Sequence, residues 1–365
     1  MFKSALGAAA ALTLAFFASI GSAREVIDHN GDVVQIPDVV KSAAATTIYP
    51  FPSAVAVFTR SPDIIAGMHE SSMQAARNGL LGALFPSILK ADTSFAKGDS
   101  VNAEALLALN PDVVFANAHD KRQIESLRSA GLAVYGVSAT KWGYDAAKTH
   151  EAWLQTLSDV FPEHKEAALI AAKYRESIDS LVKSRVKDAV PKKIFFLVSG
   201  SGPQIVTSGR RFFGEYWAQS IGCMNAGHDL EAQKTQSVVT MEDVYAWNPD
   251  VVLITNFTST TPEDVYNSTG TESDRDWTPV KAVKDKAVYK MPLGLYRSFT
   301  PSMDSPLTQL WLACVVHPEL FSDVDFNEYA RDFYQHVVGR APSNEDLKKA
   351  FPLPKRASSA VEQIK

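Results

Sequence analysis

The sequence predicts an α/β fold of two similar lobes with parallel central sheets, joined by a long rigid helix and enclosing a cleft between them. Three observations carry that prediction. Short apolar runs alternate with helical patterns on either side of mid-chain, the arrangement that builds parallel sheets. A block at 101–115 recurs at 239–253, so that Glu104 matches Glu242, Asn110-Pro111-Asp112 matches Asn248-Pro249-Asp250 and Val113-Val114 matches Val251-Val252, at a constant offset of 138. Between the two blocks, residues 144–190 contain no glycine and a single proline, Pro162.

The chain opens on an export leader. Lys3 precedes an uncharged apolar run at 5–20, and Gly21, Ser22 and Ala23 place small residues at both positions a signal peptidase reads. That run of about 16 residues falls short of the roughly 20 that a bilayer span requires. No cysteine lies near the cleavage point, so no lipid anchor is expected. Residues 1–23 are therefore read as a cleavable signal peptide, and the mature chain as a free exported protein of a Gram-negative periplasm. Loss of Lys3 takes the formal net charge from −5 to −6. Without a basic stripe, this mild acidity argues against nucleic acid as a partner. The mature length exceeds what a single core usually holds.

The mature start at 24–37 reads as a hairpin, with two β-branched runs flanking Asn30-Gly31, a pair suited to a type I′ turn. His29, beside that turn, is expected to face solvent. Strands are predicted at 43–48, 64–67, 113–116 and 133–135, with a helix at 124–130 capped by Gly131. A helix at about 146–160 leads into a second at about 163–188, with Pro162 in its first turn, where a missing N–H matters little. Strands resume at 194–198, 204–206, 251–254 and 287–289, with helices at 212–221 and 307–316. Amphipathic helices at 326–338 and 344–350 close the chain before a frayed tail after Pro354. The organisation expected is an N-terminal lobe at 24–145, a linking helix at 146–190, a C-terminal lobe at 191–320 and terminal helices at 321–365. In each copy of the repeat, a short helix stops at Asn-Pro, because the residue before proline avoids helical dihedrals, and a buried strand follows.

The hairpin, the doubled Glu…Asn-Pro-Asp-Val-Val unit, the long mid-chain helix and the late segment 277–292 together resemble the helical-backbone (class III) periplasmic binding proteins of ABC importers. The resemblance covers nearly all of the mature chain. It implies two Rossmann-like lobes and a monomer that captures a small metal-containing ligand for an inner-membrane permease. An iron complex of the ferric-siderophore kind is the expected cargo; chelated nickel or cobalt, haem and cobalamin are the family's alternatives. The resemblance also implies that Glu104 and Glu242, one per lobe, dock into arginine pockets of the permease. No separate cofactor is expected.

In open α/β sheets, ligands sit beyond the C-terminal ends of the strands. The loops there hold Tyr49, His69, His119, Arg210, Arg211, His228, Tyr296 and Arg297. Arginine forks suit anionic chelate oxygens. Imidazole and phenolate can fill open positions on a metal. In family members that bind a bare or partly chelated metal, a His and a Tyr of the second lobe reach the ion, and His228 and Tyr296 occupy suitable loops. Arg210 and Arg211 are adjacent, so one of them is expected to face away. Trp142, Phe51 and Trp217 are of a type that stacks on aromatic chelators, although core packing is the commoner fate of such residues. His150, His164, His317 and His336 fall on helices or helix ends and read as structural. No hydrolase elbow, phosphate loop or dinucleotide fingerprint occurs, so no enzyme is expected. Cys223 and Cys314 stand 91 positions apart without a metal-site spacing; an oxidising compartment would permit a disulfide, but buried free thiols are the expectation.

Overall fold

The computed structural model describes residues 23–201, 204–230 and 236–354. The signal peptide expected at residues 1–23, apart from Ala23, and the frayed tail expected after Pro354 lie outside the described residues.

Two four-stranded parallel sheets form the lobes. The first has the spatial order Ile65–Met68, Ala43–Ala45, Val113–Asn117, Val134–Val137. The second has the order Met224–Asn225, Lys193–Leu197, Val251–Ile254, Val288–Lys290. In chain order both run second, first, third, fourth, so the repeat read from sequence is also a repeat of topology. Both faces of each sheet are covered, and alternate residues divide between them. Ala43, Ala45, Val113, Phe115, Ile194, Phe196, Val251 and Leu253 face one core shared by both lobes. Ala44, Val114 and Ala116 face an outer core of the first lobe, and Phe195, Leu197, Val252 and Ile254 one of the second.

The repeated unit has a structural cause. The helices Ala103–Ala108 and Met241–Trp247 stop before Asn110 and Asn248, which take left-handed φ values of 48° and 44°. Asparagine tolerates that region better than other side-chain-bearing residues. Asp112 Oδ2 then accepts the amides of Lys41 and Ser42 at 2.6 and 2.9 Å. Asp250 Oδ2 accepts the amide of Lys193 at 2.7 Å. Each aspartate thereby ties the start of its lobe's third strand to the start of the first.

The helices Ala146–Val160 and Lys165–Val186 link the lobes through a 3₁₀ turn at Pro162–His164. The second helix, with 22 residues at 1.5 Å each, is about 33 Å long. The helix Ser305–Val316, buried throughout, packs along it. The final helices, Phe326–Phe333 with a π turn at Tyr334–Val338 and Asn344–Ala350, fold back onto the first lobe. Arg60 donates to the His336 carbonyl at 2.6 Å, and Arg340 to the Leu84 carbonyl at 2.8 Å.

Two expectations are corrected. The hairpin Ala23–Ile27 with Val33–Pro37 forms, but its connection is a five-residue loop rather than a type I′ turn. Asp28 Oδ1 accepts the amides of Asn30 and Asp32 at 2.8 and 3.0 Å, and Gly31 carries the positive φ of 89°. An aspartate bonding its own following backbone competes directly with the tighter turn. His29 is half-buried rather than solvent-facing. Its Nδ1 accepts the Ser138 amide at 2.8 Å, its Nε2 lies 2.7 Å from Thr156 Oγ1, and its ring meets Trp142 edge-on. The strand expected at 204–206 forms as Gln204–Ser208, outside the parallel sheet. It pairs antiparallel with Ser199–Ser201 and Gln236–Val239 in a separate three-stranded sheet. A short β-branched run does not reveal which partner it will pair with.

Candidate functional site

Loops from both lobes meet where the Leu80 amide bonds the Gly294 carbonyl, close to the expected cleft residues. On the first lobe, Tyr49 follows the strand Ala43–Ala45 and is half-buried. Its hydroxyl donates to Asp99 Oδ1 at 3.1 Å, and its ring packs on His69 with centroids 4.7 Å apart. Burial, then the Asp99 carboxylate, raises the Tyr49 pKa. His69 caps the helix Glu70–Asn78: Nδ1 accepts the Ser71 amide at 3.0 Å, which leaves Nε2 to donate to the Gly98 carbonyl at 2.9 Å. With both nitrogens engaged, His69 positions Tyr49 and the loop around Gly98. His119 is exposed, and its Nε2 lies 2.6 Å from Thr140 Oγ1.

The second lobe contributes an aromatic cluster whose centre, Phe299, is 0% exposed and belongs to the shared core. Phe299 lies 5.3 Å from Phe212 and 6.4 Å from Phe257, centroid to centroid. Tyr144, just ahead of the linking helices, meets Phe212 and Phe213 edge-on at 5.6 and 5.2 Å. Arg211 lies near enough to Tyr144 to stabilise its phenolate form. Arg297 sits over the Phe257 ring at 5.4 Å and the Tyr296 ring at 5.7 Å. Burial pushes the Tyr296 phenol up to about 12, against the pull of Arg297. The Tyr49 phenol is close enough to add to that rise, so the two hydroxyls approach from opposite lobes. At neutral pH Tyr296 keeps its proton, and Arg297 hydrogen-bonds to its hydroxyl. The structure thus gathers Tyr49, Tyr296 and Arg297 near a largely buried aromatic cluster.

Arg210 and His228 face elsewhere. Arg210 donates to His228 Nε2 at 2.8 Å, so the imidazole N–H is on Nδ1 and donates to Glu215 Oε1 at 2.7 Å. His228 and Glu215 line a groove of about 310 Å³ at the edge of the second sheet, together with Lys193, Cys223 and Trp247. Of the adjacent arginines, Arg210 is thus engaged by His228 rather than by the cleft. Among the described residues, no group of three or more His, Cys, Asp or Glu is placed to hold a metal ion. Phe51 and Trp217 are core residues, 0% and 1% exposed, and Trp142 packs on His29. Both cysteines are free and buried. Asp99, Tyr144, Phe257 and Phe299 were not singled out from sequence, and no local motif marks them; only the rule that loops follow strands pointed to their neighbourhood.

Glu104 and Glu242 are both exposed, each in the first turn of its copy of the repeated helix. Asn102 caps the first helix through the Ala105 amide at 3.0 Å. The Thr240 hydroxyl, together with the residue's own amide, holds the Glu242 carboxyl below the usual range. Among the described residues, no helix is long and apolar enough to cross a membrane.

Comparison with known proteins agrees with this architecture. Residues 52–293 match the family model described as periplasmic binding protein. The molybdate-binding protein MolA of Haemophilus influenzae is 25% identical over 256 residues, which is 65% of this chain and 70% of the relative. A periplasmic solute binding protein from Veillonella parvula superposes with a TM-score of 0.81 at 22% identity, covering 93% of this chain and all of the other. The Helicobacter pylori protein CeuE, in a nickel–histidine complex, superposes with a TM-score of 0.69 at 20% identity, covering 90% of this chain and 98% of the other. The duplicated lobes on their helical strut and the family match over most of the chain have one meaning: this protein belongs to the periplasmic binding protein family and has the fold of its helical-backbone class.

Proposed function

We propose that the chain captures a small anion whose metal is already coordinated and passes it to the permease of an ABC importer. The observation that supports this reading is Arg297 over the Phe257 and Tyr296 rings, with the Tyr49 phenol close by from the other lobe. A bare cation calls for several acidic, imidazole or thiolate ligands, whereas an anion calls for donors. Tyr49, Tyr296, Arg211 and Arg297 touch the ligand in this reading, while His69 and His119 hold their loops. For His228 to ligate a metal, its Nε2 must first release Arg210. An iron chelate of the ferric-siderophore kind fits the description, as does a tetrahedral oxyanion; the molybdate-binding relative favours the oxyanion.

The test is calorimetric titration of the purified protein with molybdate, ferric citrate, nickel–histidine and free zinc. One of the anionic probes should bind, and Arg297→Ala should weaken it about ten-fold or more, the usual loss for a charge-assisted contact. Tight binding of free zinc with none of the anions would overturn the reading. Glu104 and Glu242 then serve as the permease contacts, a role supported by their exposure and duplicated placement.

A further inference from the structure

The cleft loop that carries Tyr296 and Arg297 is held from behind by a buried carboxylate. Asp304 is fully buried. Its Oδ2 accepts the Leu295 amide at 2.8 Å and the Tyr334 hydroxyl at 2.6 Å, and its Oδ1 accepts the Ser302 hydroxyl. Among the described residues, no basic side chain forms an ion pair with it. A carboxylate out of water without a counter-ion persists only where its hydrogen bonds are well made.

The loop is equally fitted on its other side. A Cβ on Gly294 would come within 2.0 Å of Asp304 Oδ2, so only glycine allows this approach. The Gly294 carbonyl accepts the Leu80 amide of the first lobe at 2.8 Å. Gly79 is constrained in turn, since a Cβ there would sit 2.6 Å from the same carbonyl. Tyr334 belongs to the terminal helices that fold back onto the first lobe. Asp304 therefore joins the cleft loop, the start of the helix Ser305–Val316 and the terminal helices at one point.

We infer that Asp304 is the positioning residue of the cleft, fixing through the Leu295 amide the place at which Tyr296 and Arg297 present their donors. The ligand-binding part of this inference rests on the anion reading above; the loop-holding part does not.

Two variants separate positioning from general support. Asp304→Asn keeps the volume but replaces one of the two acceptor oxygens with an NH2 donor among three groups that all donate to Asp304. Tyr334→Phe removes a different bond to the same oxygen and leaves the Leu295 amide paired. Amide exchange over 293–298, read by mass spectrometry on the ligand-free protein, should rise about ten-fold or more in Asp304→Asn and stay within about two-fold in Tyr334→Phe. Affinity for molybdate or ferric citrate, whichever the wild type binds, should fall about ten-fold in the first variant and stay within about three-fold in the second. Unchanged exchange in Asp304→Asn, or equal changes in both variants, overturns the inference. If the wild type binds neither probe, the anion reading falls and the exchange comparison alone decides the role of Asp304. Should Asp304→Asn not fold, Gly294→Ala, which drives a methyl against the same carboxylate, should raise exchange over 293–298 in its place; normal exchange there counts against the inference.

Discussion

Asp112 and Asp250 perform the same closure in the two lobes: each lends one carboxylate oxygen to backbone amides at the start of its lobe's first strand, those of Lys41 and Ser42 just before it in one and that of Lys193 in the other. The asparagines before them turn the chain through the same left-handed conformation.

Replacing either aspartate by alanine strands backbone amides at the foot of a parallel sheet. Each substitution should lower stability by about 1–3 kcal/mol. Urea unfolding measures this, and a loss confined to one of the two variants would show that the copies have diverged in role.

The exposed pair Glu104 and Glu242 should matter to transport alone. Rim charges steer encounter and set register rather than ligand affinity. Glu104→Arg combined with Glu242→Arg should abolish uptake by cells while calorimetric ligand binding stays at the wild-type value. Normal uptake by the double variant would remove the docking assignment.

His150, enclosed among the linking and C-terminal helices, is lowered from 6.5 to about 4, chiefly by burial and then by Arg175. A base whose folded pKa is depressed stabilises the fold above its unfolded value and loses that contribution as pH falls. The contribution is complete above about 6.5 and fades toward 4, and it amounts to roughly 3 kcal/mol at most for a fully buried ring. His150→Phe should flatten the pH dependence of the urea midpoint across that window. An unaltered slope would show that another group governs it; His29, also lowered to about 4 with burial as the leading cause, is the first to test.

The shared core and the terminal helices that cross to the first lobe leave little freedom for hinge motion. Solution scattering with and without ligand should show almost no change in radius of gyration. A large compaction would contradict the strut.

Local patterning accounts for what was legible in advance. The 138-residue repeat, the paired linking helices and the alternating apolar strands are written in neighbouring residues, so the lobes could be read directly. The orientation of single side chains depends on partners far along the chain. Thr156 and Ser138 enclose His29, Gly98 engages His69, and His228 draws Arg210 away from Arg211. Asp304 looks like any helix-opening aspartate until Leu295 and Tyr334 are seen to converge on it. The return of the last helices to the first lobe likewise rests on contacts such as Arg60 with His336, which no periodicity announces.

The bond from the Leu80 amide to the Gly294 carbonyl has a thermodynamic consequence. A recognition surface already stitched across the seam has lost its conformational entropy during folding, before any ligand arrives. Association should therefore run close to the encounter rate, with a modest heat-capacity change, and discrimination among cargoes should be expressed in how slowly the right one leaves.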